Sequence, residues 1–436
     1  MELKLLPTRM RSQRWLHIIP VSFIMYTIAF IDRTNVSLAL PSMSRALHMN
    51  PTQAGGAAGM FFWGYVGLQI PGGYLAHRWS AKRFVAILLV LWGLASVACG
   101  LVQTWQQFRI MRLLLGVAEG GVWPAVLVLL SHWFPRGERA RANAYWMLCL
   151  PIAVILSSPL SGWILGRWNW RVLLIAEGAL PFFWLVIWWA FIDDYPRDAR
   201  WISAEERDYL EVTLREESRD LDSAKSDPSA KPDSFWRAML KFWRTLLNPI
   251  VLIMVGIYLM QNFGNYGYLF WLPSVLEHTR KMSNFLVGVL SAVPYIVTAM
   301  GMVLVSRHSD KHRERRGHVA FGLAWGGACM MACALLIGHA PALGFVAISM
   351  VGAGTYGMLG AFWAMPTESL PRSVSGPAMG LVNALGNLGG YFGPLTVGFI
   401  FHRTGGFQYA FALLSLAFLT GSAATVLLPL RAVARK

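Results

Sequence analysis

Twelve stretches of largely apolar residues recur along this chain, roughly at 17–40, 54–76, 84–104, 108–131, 141–165, 171–192, 249–273, 284–306, 318–338, 342–365, 376–401 and 407–430. A bilayer core about 30 Å thick is crossed by about 20 helical residues. The pattern therefore predicts an all-α membrane protein, with twelve transmembrane helices in two pseudo-symmetric six-helix bundles. Charged residues make up only 14% of the chain, against about 25% in soluble domains. The 20 tryptophans suit aromatic belts at the two interfaces of a lipid bilayer. Residues 1–15 are basic and lead into a stretch too long for a signal-peptide core, so the first span is expected to stay uncleaved.

Net charge is +16, but the cations sit in short loops between apolar stretches, which speaks for topology and against nucleic acid. With the N-terminus inside, 29 of the 38 Lys and Arg fall on the inner side and 7 on the outer side. The expectation is a multi-pass protein of the plasma (inner) membrane with both termini cytoplasmic. Residues 1–192 form one bundle, 193–248 a cytoplasmic linker loop and 249–436 a second bundle. Within the linker, Ser203-Ala-Glu-Glu206 predicts a capped amphipathic helix to about Ser218, and Asp227–Asp233 a flexible stretch. The linker as a whole is read as a solvated connection between the halves. The halves look like degenerate repeats, each with a basic loop after its second span and a Pro-Leu in its fifth, Pro159-Leu160 and Pro394-Leu395. Paired repeats with a substrate site between them near the midplane are a transporter pattern.

Four charges lie where hydrocarbon is expected: Asp32 and Arg33 in the first span, Arg112 and Glu119 in the fourth. An ionisable side chain at that depth is costly and marks a functional site. Arg112 and Glu119 are seven apart and face nearly alike, about 10 Å apart along the axis, while Asp32 and Arg33 diverge by about 100°. Arg33 and Arg112 are candidate clamps for a carboxylate, because a guanidinium keeps its charge and grips both oxygens. Asp32 and Glu119 are candidate proton-coupling groups, because a carboxyl can change charge on burial. The alternative is a permanent packing network of ion pairs. No histidine lies deep in a span, so coupling falls to carboxylates; Glu177, in the sixth span, reads as a satisfied surface or gate residue.

The second half offers amides and rings instead of charges. Gln261, Asn262, Asn265, Tyr266, Trp363, Asn383 and Asn387 could read hydroxyls or a ring, or could simply bond helix to helix. Cys99, Cys149, Cys329 and Cys333 read as small buried hydrophobes, with no disulfide framework and no metal site. No Walker loop, zinc-protease motif or nucleophile elbow is present. The chain is therefore not expected to be an enzyme, and needs no cofactor; a proton gradient would supply the energy.

The stretch Gln69-Ile-Pro-Gly-Gly-Tyr-Leu-Ala-His-Arg78 resembles the end of the second helix and following loop of the major facilitator superfamily, and Ser309-Asp310-Lys311 to Arg316 resembles its repeat. Asp32-Arg33-Thr-Asn35 with Arg112 to Glu119, and Trp133-Phe-Pro135 before Glu138-Arg139-Ala140, resemble the anion:cation symporter branch. That resemblance covers essentially the whole chain. It implies import of a small organic anion, such as a sugar acid, a tartrate-like diacid or an aromatic acid, with protons as partners and a functional monomer. It also implies protonation at Asp32 and Glu119, substrate-facing positions at Tyr65, Trp363 and Asn383, and gating loops around His77, Arg78, Asp310 and Lys311. The family loop usually carries Asp where this chain has His77 and Gly where it has Ser80. Rival expectations are an exchanger or exporter of the same fold and a non-transporting membrane sensor.

Overall fold

The computed structural model describes residues 12–223, 245, 248–279, 282–312, 314–370 and 372–428, and these are helical almost throughout. Ten helical runs are long and apolar enough to cross a membrane: Gln13–Ala46, Ala81–Leu101, Trp105–Trp133, Arg136–Arg167, Trp170–Phe191, Pro249–His278, Asn284–His312, Arg316–Leu336, Pro341–Pro366 and Gln408–Leu427. They are spans 1, 3 to 10 and 12. Spans 2 and 11 complete the twelve, and each is interrupted: Pro51–Gly59 resumes as Phe61–Arg78, and Arg372–Gly386 is followed by Gly389–Thr404. The all-α, twelve-helix fold expected from the sequence is the one found. The helices outrun the apolar windows, span 1 starting at Gln13 rather than near 17, because an apolar window measures the hydrocarbon layer and not the turns beyond it.

Local chemistry sets the corners. Asn50 opens span 2 with a capping box: the Gln53 N–H donates to Asn50 Oδ1 at 2.8 Å, and the Asn50 N–H donates to Gln53 Oε1 at 3.0 Å. Thr104 and Gln107 do the same at the start of span 4. Span 11 ends at Gly405, whose φ of 72° lies in the left-handed region that glycine enters freely. The short connections force successive spans to run antiparallel. Residue 12 and the loops after even-numbered spans therefore share one side, called the terminal side below.

Backbone-to-backbone contacts join the spans that carry the buried charges. A Cβ on Gly116 of span 4 would lie 1.9 Å from the Phe61 carbonyl oxygen of span 2, so no larger residue fits there. Across the two halves, span 5 meets span 8 and span 2 meets span 11. A Cβ on Gly162 would lie 2.5 Å from the Asn284 carbonyl oxygen, and one on Gly398 2.2 Å from that of Pro51. Asn284 Nδ2 also donates to the Leu165 carbonyl at 3.0 Å. All of these inter-half contacts cluster at the side away from the termini, so the halves are drawn tightly together there.

The segment after span 6 differs from expectation. It was read as a solvated connection, yet Ile192 to Ser223 docks on the first half. Ser203 caps the helix Ala204–Ser223 by accepting from the Glu206 N–H at 3.2 Å. The Glu206 carboxylate is 1% exposed and takes the Arg14 guanidinium, itself fully buried, together with the Gln13 N–H at 2.8 Å. Arg14 also reaches Glu138 at 2.7 Å. Farther along, Glu217 accepts from the Arg136 N–H at 2.7 Å and pairs with Arg139 at 3.3 Å. The apolar signal could not show this, because the docking is carried by charge pairs. The Asp227–Asp233 stretch lies outside the described residues.

A buried ion pair that loses one partner costs about 3–5 kcal/mol, whereas an exposed pair on a helix surface contributes about 0.5 kcal/mol or less. Glu206→Gln is therefore expected to lower the thermal unfolding midpoint of the detergent-purified protein clearly. Arg215→Ala, which breaks the exposed Glu211–Arg215 pair on the same helix, should leave it nearly unchanged. Equal midpoints for both variants would show that the helix is not anchored through Glu206.

Candidate functional site

Tyr26, Phe30 and Arg33 recur at i, i+4 and i+7 and so share one face of span 1. That face lines a cavity between the halves. Span 2 adds Tyr65, span 4 Trp123, and span 5 Met147 and Leu150. From the second half come Tyr258, Gln261, Asn262 and Tyr266 of span 7, Tyr356, Leu359 and Trp363 of span 10, and Asn383 and Asn387 of span 11. Arg33 is the one charged residue among these lining groups.

Arg33 is held by rings and one carboxylate oxygen. Its guanidinium lies 4.6 Å from the Tyr65 ring centroid, 4.9 Å from Phe61 and 5.6 Å from Phe30. Its Nη2 donates to Glu119 Oε2 at 3.2 Å, while its Nε and the second Glu119 oxygen have no partner among the described residues. The pair is thus single-stranded, not the two-bond fork that a guanidinium and a carboxylate can form. Both side chains are nearly fully buried.

Asp32 points the other way, into the first half. Trp92 Nε1 donates to Oδ2 at 2.6 Å, Ser96 Oγ to Oδ1 at 3.0 Å and Asn35 Nδ2 to Oδ1 at 3.5 Å. Its holders are neutral donors, and neither arginine forms an ion pair with it. Arg112 is fully buried and does not line the cavity. It donates to main-chain carbonyls instead, through Nη1 to Asp32 at 3.3 Å and through Nε and Nη2 to Ala58 at 3.4 and 3.3 Å. The Phe61 ring stands between the two arginines, 5.0 Å from Arg112. The four residues singled out in the sequence come together, but only Arg33 reaches the open space.

The amides are partly committed. Gln261 Nε2 donates to the Thr355 carbonyl at 3.2 Å, leaving its Oε1 buried and unpartnered. Asn262 Nδ2 donates to the Gly386 carbonyl at 3.2 Å. Asn383 Nδ2 crosses to Gln69 Oε1 of the first half at 2.7 Å, and Asn387 binds back to Asn383 at 2.7 Å. Trp363 packs edge-on against Tyr258, centroids 5.1 Å apart. Sequence reasoning passed over Tyr26, Trp123, Tyr258 and Tyr356. The i, i+4, i+8 spacing of Tyr258, Asn262 and Tyr266 was the signal for that face of span 7. Among the described residues no cluster of His, Cys, Asp and Glu could hold a metal ion.

The loops flagged for gating lie apart from the cavity. His77 is exposed, and Arg78 stacks 5.4 Å from the Tyr74 ring. Span 3 is tied down by Asp194 instead, which accepts from Ser80 Oγ and from the Lys82 N–H at 2.9 Å. Asp310 is exposed and pairs with Arg315 at 2.6 Å, and Lys311 is exposed. Glu177 corrects its reading as a surface or gate residue: it is 2% exposed and accepts from Ser161 Oγ at 2.6 Å.

Two six-span halves around a buried, cation-bearing cavity define a membrane transporter, not an enzyme. The family model of the Major Facilitator Superfamily matches residues 22–394, and the chain belongs to that family, in its anion:cation symporter branch. A protein of Agrobacterium vitis named for tartrate transport is 32% identical over 402 residues, covering 89% of this chain and 84% of that protein. A quinolone resistance transporter of Acinetobacter baumannii is 30% identical, covering 93% and 91%. The fold matches the inward-open structure of the Escherichia coli xylose transporter XylE with a TM-score of 0.76 at 14% identity, over 96% and 97% of the two chains.

The two arginines should separate by substitution. Arg33→Lys keeps the charge but loses the planar fork, so substrate affinity should fall about tenfold or more with thermal stability little changed. Arg112→Lys cannot reach both carbonyls, so it should lower the unfolding midpoint first. Ligand titration and thermal unfolding on both variants read this, and the reverse pattern would make Arg112 the substrate clamp.

Proposed function

We propose that this protein imports a small organic carboxylate together with protons, by alternating access between the two halves. The carrying observation is Arg33: a lone cation on the cavity wall, bound through one oxygen of Glu119, with its Nε unpaired. A substrate carboxylate can take both arms of that guanidinium once Glu119 accepts a proton and lets go. When the substrate leaves, Glu119 loses the proton and pairs with Arg33 again. Asp32 is the second proton site of this reading, since its main chain is pinned by Arg112 and adjoins Arg33.

Tyr65, Tyr258, Tyr266 and Trp363 flank the body of the substrate, and Asn262, Asn383 and Gln261 read its polar groups. The unpartnered Gln261 Oε1 favours a substrate that donates hydroxyl hydrogens. The tartrate-named relative supports the same choice, a hydroxylated acid such as a sugar acid or tartrate, with an aromatic acid as the alternative. The Lys and Arg bias assigns the terminal side, and both termini, to the cytoplasm of an inner-membrane protein. The close contacts of spans 2 with 11 and 5 with 8 then close the outer side, so this state releases inward. Residues 1–192 and 249–436 act as the two rocking bodies, with the docked helix Ala204–Ser223 travelling with the first. The His77–Arg78 and Asp310–Lys311 loops lie at the inner mouth and gate it. The protein works as a monomer. Export is the second reading, kept by the quinolone resistance relative.

The test is uptake by purified protein in liposomes, over sugar acids, tartrate-like diacids and aromatic carboxylates, with and without an inward proton gradient. Gradient-driven accumulation of one class is expected. Glu119→Gln should abolish that accumulation while leaving exchange of preloaded substrate within about twofold of wild type. Equal loss of both would remove Glu119 from coupling, and counterflow without accumulation in the wild type would make the protein an exchanger.

A further inference from the structure

The site holds a carboxylate that the mechanism above does not use. Glu177 sits in span 6, seven residues from its start at Trp170, in the turn before the break at Ala179. It is 2% exposed, and no cation pairs with it among the described residues. Its Oε1 accepts from Ser161 Oγ of span 5 at 2.6 Å, while its Oε2 is buried without a partner. An ionised carboxylate with one neutral hydrogen bond and an orphaned oxygen is a costly arrangement in a bilayer interior. A neutral acid in the same place is not.

Its surroundings connect it to Asp32. Asn35 of span 1 donates to Asp32 Oδ1 at 3.5 Å and also neighbours Glu177. The next residue, Gly178, packs so closely on span 3 that a Cβ there would lie 2.6 Å from Ser96 Oγ, the hydroxyl that donates to Asp32. The groups facing Glu177 are thus Asn35 and Asp32 of span 1, Ser96 of span 3 and Ser161 of span 5. Arg33 pairs with Glu119 and Arg112 donates to main-chain carbonyls, and neither pairs with Glu177.

We propose that Glu177 is a third proton-holding group of this transporter, a neutral acid paired with Asp32 through Asn35, so that the two carboxyls are not ionised together. Ionisation of either one moves a single proton off one oxygen, and no other bond changes. The proposal rests on the reading of Asp32 as a proton site, but its test needs no transport.

Infrared titration of the purified, substrate-free protein decides it. At neutral pH the wild type should show the carbonyl absorption of a protonated carboxyl that Glu177→Gln abolishes. In Asp32→Asn the Glu177 absorption should vanish at a pH lower by about one unit or more, because the neighbouring negative charge is gone. Ser161→Ala, which keeps the carboxyl and removes its 2.6 Å donor, should move that point upward. Glutamine is isosteric with the neutral acid, so Glu177→Gln should unfold at the wild-type temperature; if it fails to fold, the other two variants carry the decision. An absorption that survives Glu177→Gln, or that ignores both Asp32→Asn and Ser161→Ala, overturns the proposal. A liposome assay in which nothing moves would overturn the transport reading and leave the infrared result standing.

Discussion

Everything at the centre of this protein depends on burying two guanidiniums out of reach of water. Neither can shed its charge, so each must be met by fixed partners. Arg112 is met by carbonyl dipoles of spans 1 and 2 and by one face of Phe61. Arg33 is met by the Phe61, Tyr65 and Phe30 rings and by a single oxygen of Glu119. In the first arrangement every guanidinium nitrogen has an acceptor. The second leaves donor capacity open on a cavity wall. That difference, not the charges themselves, separates a guanidinium held within the helices from one open to the cavity.

The guanidinium held within the helices has consequences one residue away. Arg112 grips the carbonyl of Asp32, which fixes the main chain where two oppositely employed side chains begin. Helical geometry turns them about 100° apart. One goes to the cavity, the other to Trp92 and Ser96. The backbone contact at Gly116 and Phe61 brings span 4 close enough for Arg112 to reach both carbonyls. A bulkier residue there would part the spans and strand a buried cation. The two halves also divide the chemistry. The buried charges come from spans 1, 4 and 6, while the second half contributes rings and amides with fixed partners such as the Thr355 and Gly386 carbonyls. Charge management and shape recognition can then vary separately.

The twelve spans were legible because a bilayer imposes one length scale on every segment. The four central charges were legible because they violate the hydrophobic pattern around them. The different surroundings of the two arginines were not, since a sequence cannot show whether a guanidinium ends on a carbonyl or in open space. Glu177 was misjudged for a related reason. Its place nearer the outer end of span 6 suggests an exposed position, whereas burial follows from which face packs on spans 1, 3 and 5. The helix after span 6 is legible from its capping box, but its docking is not, because its anchors, Arg14–Glu206 and Arg139–Glu217, join residues far apart in sequence. Tyr258 and Tyr356 carry no charge to stand out against an apolar background, so only their spacing could have marked them.

On the proposed function, charge balance in a low-dielectric interior gives proton coupling its logic. With Glu177 neutral, Asp32 and Glu119 ionised and both arginines charged, the empty site carries no net charge. A monoanion then brings one uncompensated negative charge, and protonation of one carboxylate restores neutrality. A dianion calls for both. On the proposed reading, proton number follows substrate charge because every other combination leaves a bare charge in hydrocarbon, at a cost of several kcal/mol per ion. Glu119 is the carboxylate whose protonation also frees Arg33, so it answers to the first substrate carboxylate. Asp32 has three neutral donors and no ion pair to surrender, so it can take the second proton without rearranging the clamp. On that reading the order of the two protons is set within the site itself, because the Arg33–Glu119 pair of the empty site is the one that the substrate replaces.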